Sequence, residues 1–309
     1  MEVGQVDRKY IAYETLGDGR IARITLNRVE ARNAQNRSLL VELGDAFLEA
    51  ESDDRVRVVI LAGAGPMFSS GHDLGSKEAI AERTPGPDLH ESYSINGATR
   101  VGAEKRMLQE WHYFFQNTLR WRNLRKITIA QVHGNVYAAG LMLMWCCDLI
   151  VAAEGTAFAD VVGTRLGMCG LEYFAHPWEF GPRKAKELLL TGDSLGVEEA
   201  HSLGMVSKIF PLDGLSARTL EFATRIAALP SMTSLMIKES VNQTVDNMGF
   251  FNGLQACFTL HQLNHSHWAE IHDDKRQAGN PEDGIVNWRE APPVVPALKD
   301  QARAAVAGA

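Results

Sequence analysis

Apolar positions fall along the chain in two alternating rhythms. Lys9 to Glu14 and Ile21 to Asn27 are β-rich and flank Leu16-Gly17-Asp18-Gly19, a turn signal that predicts a hairpin. From Ser38 to Ala50 the apolar residues Leu39, Leu40, Leu43, Ala46, Phe47 and Ala50 recur at helical spacing, with Ser38 as the predicted N-cap. Arg57 to Ala62 reads as a buried strand running into Gly63-Ala64-Gly65-Pro66. The order then returns: strand Ile127 to Val132, helix Ala138 to Cys147, strand Leu149 to Ala152, extended Thr156 to Phe158. A strand-strand-helix unit that repeats implies parallel strands joined by crossover helices, and so an α/β fold.

Between the two repeats, Gly75 to about Gly102 carries Pro85, Gly86, Pro87 and scattered charges, and reads as a lid-like surface excursion. Ala103 to Arg125 is helical and rich in rings: Trp111, Tyr113, Phe114, Phe115 and Trp121. These are too densely spaced for one helical face, so some line a pocket or meet a partner and the rest pack in the core. Beyond Arg183 the pattern is helical at 184–190, 197–203, 216–229, 233–245 and 250–272. A boundary near 212 divides a core unit, 1–212, from a helical region, 213–290. The Pro-bearing stretch 291–309 reads as an extended tail.

Composition narrows the function. An apolar fraction of 45% and a charged fraction of 22% are ordinary for a globular chain of 309 residues. A formal charge of -7 argues against a nucleic-acid or membrane-surface partner. The four cysteines, Cys146, Cys147, Cys169 and Cys257, have no metal or disulfide spacing and read as buried reduced thiols. With neither a leader nor a membrane span in the pattern, the expectation is a cytoplasmic protein.

Two stretches carry candidate chemistry. His133-Gly134-Asn135-Val136-Tyr137-Ala138-Ala139-Gly140 puts small residues directly before a helix apolar on all faces. Small residues admit close approach to the backbone, and a helix start leaves N–H groups unpaired. Tight helix-strand packing would use the same residues. Phe68-Ser69-Ser70-Gly71-His72-Asp73-Leu74 is a second glycine-bearing turn after a buried strand, at the same edge of a parallel sheet. Two such turns can present two N–H donors to one oxyanion, worth about 3 to 4 kcal/mol per donor to a transition state.

These stretches, with LNRVEARNA, CDLIVAAEGTAFA and ELLLTGDSLGVEEAHSLGMVSKIFP, resemble the crotonase (enoyl-CoA hydratase/isomerase) superfamily, in order over about 10 to 290. The resemblance implies a crotonase-like spiral of strand-strand-helix repeats and a C-terminal helical trimerisation region giving a homotrimer or a hexamer. It also implies an acyl-CoA thioester as substrate, and places the oxyanion-hole amides at His72 and Ala139. Coenzyme A would arrive as part of the substrate, with no metal and no other cofactor. Ala31, Arg32 and the backbone at Ser70, Asp73 and Leu74 would hold it, and Trp288 and Arg289 are the nearest match to an aromatic and basic pair contributed late in such chains.

The chain departs from the family at both positions where hydratases carry catalytic glutamates. One is Met142, the other Val162. Asp160 and Glu172 are the candidate replacements. Asp160 is two residues from the expected place, and Glu172 lies among Leu171, Tyr173 and Phe174, where burial would raise its pKa. The competing readings are a turn or cap residue for Asp160 and a helix-start carboxylate for Glu172. His72 and Tyr137 add polar side chains beside the predicted hole, and Met142, Met144, Trp145 and the rings at 111–115 are candidates to line an acyl pocket. The reading is an acyl-CoA enzyme of the hydratase/isomerase kind, more suited to isomerisation, hydrolysis or decarboxylation than to hydration. A binding protein that has lost catalysis is the alternative.

Overall fold

A computed structural model describes residues 8–82 and 102–272. The predicted hairpin forms between β1 (Ile11–Leu16) and β2 (Ile21–Leu26), in register from Ile11 opposite Leu26 to Leu16 opposite Ile21. Then follow α1 (Arg37–Ser52), β3 (Val58–Gly63) and the short α2 (Lys77–Ala81). Next, α3 (Gly102–Gln109) passes through a π-helical turn at Glu110–Gln116 into α4 (Asn117–Arg122). The second repeat is β4 (Ile127–Val132), β5 (Asn135–Tyr137) and α5 (Ala139–Trp145), and the third is β6 (Leu149–Ala153), β7 (Ala157–Ala159) and α6 (Val162–Leu166). After α7 (His176–Phe180) and α8 (Pro182–Thr191) come β8 (Leu195–Gly196), α9 (Val197–Ser202) and β9 (Lys208–Phe210). The chain then becomes wholly helical in α10 (Leu215–Ala227), α11 (Ser231–Asn247) and α12 (Phe250–Ile271).

Each repeat gives its first strand to one sheet and its second to another. The large sheet runs β1-β2-β3-β4-β6-β9 and is parallel from β2 onward; the small one runs β5-β7-β8. Isolated bridges from Ser69 to Val136 and from Gln35 to His72 prolong the small sheet. The α/β fold expected from the repeat, with the strand-strand-helix turns that the resemblance implies, is thus the observed architecture.

Strand period explains the two cores. On β3, Val59 and Leu61 face α1 and α5, whereas Val58 and Ile60 face Leu215, Ala223 and Ala227 of α10. With both faces covered, β3 is apolar throughout and β4 is buried throughout, its Thr128 satisfied by Asp148. Removing a fully buried side chain such as Leu43 or Phe47 would cost about 3 kcal/mol.

Three local expectations are corrected. Helix α1 is capped by Asn36, not Ser38: Asn36 Oδ1 accepts from Leu39 N at 3.2 Å. Glu82 completes that end by accepting from Arg37 N at 2.8 Å, so the cap lies two residues upstream of the expected one and Ser38 instead donates to Glu82. The cysteines are all free, but only Cys146 is fully buried and Cys169 is exposed. Helices α6 and α7 had no counterpart in the pattern, being five residues each and too short to show a period. Of the lid-like excursion, 83–101 lies outside the described residues, as do the tail and Trp288 and Arg289. Among the described residues no helix is long and apolar enough to cross a membrane.

Candidate active site

Strand β3 ends in a turn that Asn33 ties down. Its buried Nδ2 donates to the carbonyls of Ala64, Met67 and Phe68 at 2.9, 3.1 and 3.0 Å. The chain then bridges Gln35 on one side: Gln35 N donates to Gly71 O at 2.8 Å and Asp73 N donates to Gln35 O at 3.0 Å. Since neighbours in an extended strand point their amides oppositely, the intervening His72 N–H faces away from Gln35. On that other side lies the start of α5. Ala138, just before it, has φ 46 and ψ -126, a strained conformation for a residue with a side chain. Ala139 is the first helical residue, so its N–H has no intrahelical acceptor.

The two turns touch. A Cβ on Gly71, which has φ +95, would lie 3.0 Å from each of Ala139 N, Ala138 Cβ and Tyr137 O, and one on Gly140 would lie 2.7 Å from Ser69 O. Gly140 therefore serves tight packing, while Ala139 is left with its amide beside Gly71. Among the described residues neither His72 N nor Ala139 N donates a hydrogen bond within the chain. Two free donors side by side make a site for a polarised carbonyl oxygen.

Next to them opens a cavity of about 1010 Å³, walled by both turns, the π-helical segment, the chain around Glu172 and α12. The π-turn spreads the aromatic cluster among three environments. Tyr113 and Phe114 line the cavity, Phe115 stacks on Phe258 in the core at 4.6 Å, and Trp111 is exposed. The His72 ring stacks on Phe114 at 3.6 Å, and its Nε2 is 3.3 Å from Glu172 Oε2.

Glu172 is buried, yet its pKa is lowered. Burial alone would raise it, but the charge and hydrogen bond of His72, then the charge of His261, outweigh that penalty. The expected rise is thus overturned by two imidazoles that local sequence does not reveal. His261 Nε2 lies 3.7 Å from Glu172 Oε1 and 3.6 Å from Glu110 Oε2, and His265 Nε2 lies 3.2 Å from Glu110 Oε1. For His261, burial would lower the pKa, but Glu110 and Glu172 prevail and push it up to about 9.

Of the candidates from sequence, His72, Glu172, Ala31, Arg32, Ser70, Asp73, Leu74 and Tyr137 all line the cavity. Arg32 is exposed, as is Arg165, which also lines the cavity. The amides of Ser70 and Asp73 are already given to Arg32 O and Gln35 O, and the Asp73 carboxylate pairs with the buried Arg28 and accepts from Ser76 N at 2.9 Å. Two placements need correction. Asp160 does not line the cavity: β7 ends at Ala159, so strand alternation stops there, and the Asp160 carboxylate turns inward to His176 Nε2 at 2.9 Å and Val162 N at 3.0 Å. Met142 does not line it either, and with Met144 and Trp145 belongs to the core, because α5 is packed on every side. Glu110, His261 and His265 were missed; the pair His261 and His265, four apart on one helix, was the available signal.

A sequence model for enoyl-CoA hydratase/isomerase matches residues 17–279. The chain belongs to the enoyl-CoA hydratase/isomerase family. It is 64% identical to EchA13 of Mycobacterium tuberculosis strain H37Rv, which bears the provisional name enoyl-CoA hydratase, over 97% of this chain and 98% of that protein. It is also 27% identical to 4-chlorobenzoyl coenzyme A dehalogenase-2 of an Arthrobacter species, over 81% and 85% of the two chains. Among solved structures, a probable enoyl-CoA hydratase from Mycobacterium smegmatis superposes with a TM-score of 0.74 at 40% identity, over 85% of this chain and 97% of that one. Within the family, then, similar chains carry names for different reactions.

Proposed function

We propose that the chain binds an acyl-CoA thioester, polarises its carbonyl with the His72 and Ala139 amides, and moves a proton with Glu172. The observation that carries this reading is the pair of unengaged amides beside a cavity that the buried Glu172 carboxylate lines, 3.3 Å from the His72 ring. Donors aimed at the thioester oxygen favour the enolate over the ketone form and so lower the cost of removing a proton from carbon. Glu172, held ionised by its imidazole neighbours, starts as the base. It takes a proton from one carbon of an unsaturated acyl group and, now neutral, returns it to another, which shifts the double bond with no net gain or loss of atoms.

Isomerisation is preferred to hydration because the two usual acid positions, Met142 and Val162, hold no ionisable group. Arg32 and Arg165 at the rim would face the phosphates of coenzyme A. Assembly as a homotrimer is part of the same proposal; α11 leaves Met232, Met236, Ile237 and Val241 exposed as one apolar face. A second reading, binding without turnover, draws on the same absent acids.

Single-turnover assays with enoyl-, dienoyl- and 3-oxoacyl-CoA, repeated with Glu172→Gln, separate them. Turnover of an unsaturated thioester that the substitution slows about 10²-fold supports the isomerase. Tight binding of every thioester with no product would favour the binding protein.

A further inference from the structure

The wall formed by the π-turn and α12 holds a second constellation, which meets the proton-transfer site only through His261, 3.7 Å from Glu172. Glu110, His261 and His265 bring a carboxylate oxygen and two Nε2 atoms within 4.8 Å of one another. Positions 261 and 265 are one helical turn apart and so share a face. His261 Nδ1 is 2.9 Å from Gly170 O, and a carbonyl only accepts, so Nδ1 carries a proton and Nε2 is the nitrogen turned toward Glu110, able to take an ion in exchange for its own proton. That nitrogen is buried, has no hydrogen-bond partner, and belongs to a residue 4% exposed. Glu110 is likewise oriented from behind, by Gln262 Nε2 at 2.7 Å.

The spacings suit a shared cation better than direct pairing. The His261 contact with Glu110 at 3.6 Å is too long for a hydrogen bond, whereas tetrahedral ligands about 2.0–2.2 Å from a zinc-class ion lie roughly 3.3–3.6 Å from each other. The observed separations, 3.2 Å from His265 to Oε1 and 3.6 Å from His261 to Oε2, are of that size and reach the two oxygens of one carboxylate, either of which can meet the ion. Two imidazoles and one carboxylate form a donor set that leaves a fourth coordination position open, and all three residues line the cavity. A backbone carbonyl behind one histidine and an amide behind the carboxylate are the outer contacts that fix ligand geometry.

We propose that Glu110, His261 and His265 bind one divalent transition-metal ion of the zinc class on the cavity wall, beside Glu172. This departs from the expectation that the chain uses no metal. It goes beyond the acyl-CoA reading and is tested without turnover, so either can fail alone.

The full chain, dialysed against chelator, is titrated with Zn2+ by calorimetry and with Co2+ by visible absorption. The expected result is one equivalent per chain, micromolar or tighter, with a tetrahedral Co2+ band, and Mg2+ failing to compete because it prefers oxygen donors. Affinity should fall at least 100-fold in His265→Ala and in Glu110→Gln. His265 is partly exposed, which makes its removal mild for folding; His265→Gln with a matched circular dichroism spectrum provides a second variant. Binding that is substoichiometric, or stoichiometric but unchanged in these variants, overturns the proposal, and the three side chains are then only a buried ion-pair network.

Discussion

The two walls of the cavity are built on different principles. On one, the donors are main-chain N–H groups of His72 and Ala139, placed by turns that can meet only because Gly71 and Gly140 lack a Cβ. On the other, Glu172, Glu110 and His261 are side chains whose ionisation each depends on its neighbours, with the His72 ring against Glu172. The backbone wall tolerates any residue identity at 72 and 139 that keeps the fold, because the donors are present in every non-proline residue. The side-chain wall changes its chemistry with each substitution. On the proposed reading, this division lets a chain keep a carbonyl-polarising pair of amides while Met142 and Val162 stand where the resemblance places two acids.

The contrast can be broken most severely at Gly71. Gly71→Ala should push Ala139 N away and lower kcat/KM about 10³-fold, near 4 kcal/mol, with the circular dichroism spectrum kept. A change under tenfold would mean that the two turns do not act together. On the side-chain wall, Glu172→Gln should reduce kcat about 10²-fold while leaving the Kd of a saturated acyl-CoA unaltered, because only the proton transfer is removed.

Asp160→Asn sharpens the comparison by touching neither wall. Weakening the buried contacts to His176 and Val162 should cost about 2 kcal/mol in chemical denaturation, with turnover per folded molecule within about threefold of the parent. A large loss of turnover without a loss of stability would return Asp160 to the candidate acids. The smallest effect belongs to the rim. Arg32→Ala should raise KM about fivefold for CoA thioesters, roughly 1 kcal/mol, and leave KM unchanged for thioesters of pantetheine, which lack the nucleotide phosphates.

The same division sets what could be read before the fold was known. The strands and helices of the repeat and the two glycine-bearing turns are local patterns, and period and turn chemistry suffice to find them, whereas Ala31 and Arg32 come from the resemblance of LNRVEARNA to the family. The acid wall is not local. His72 and Glu172 are 100 residues apart, and Glu110 and Gln262 are 152 apart. No window of sequence contains either pair, so the expectation that burial raises the Glu172 pKa took account of its apolar neighbours but not of two imidazoles. Asp160 failed for a related reason: the end of β7, a tertiary boundary, decides which way its side chain turns.

The account rests on the two amides meeting one thioester oxygen, and a crystal structure with a saturated acyl-CoA addresses this directly, since such a ligand keeps the thioester but has no double bond to move. The account predicts the carbonyl oxygen about 2.7–3.1 Å from both His72 N and Ala139 N, with the carbons beside it turned toward Glu172. A carbonyl oxygen bound elsewhere in the cavity, or either amide engaged by another acceptor, would contradict it.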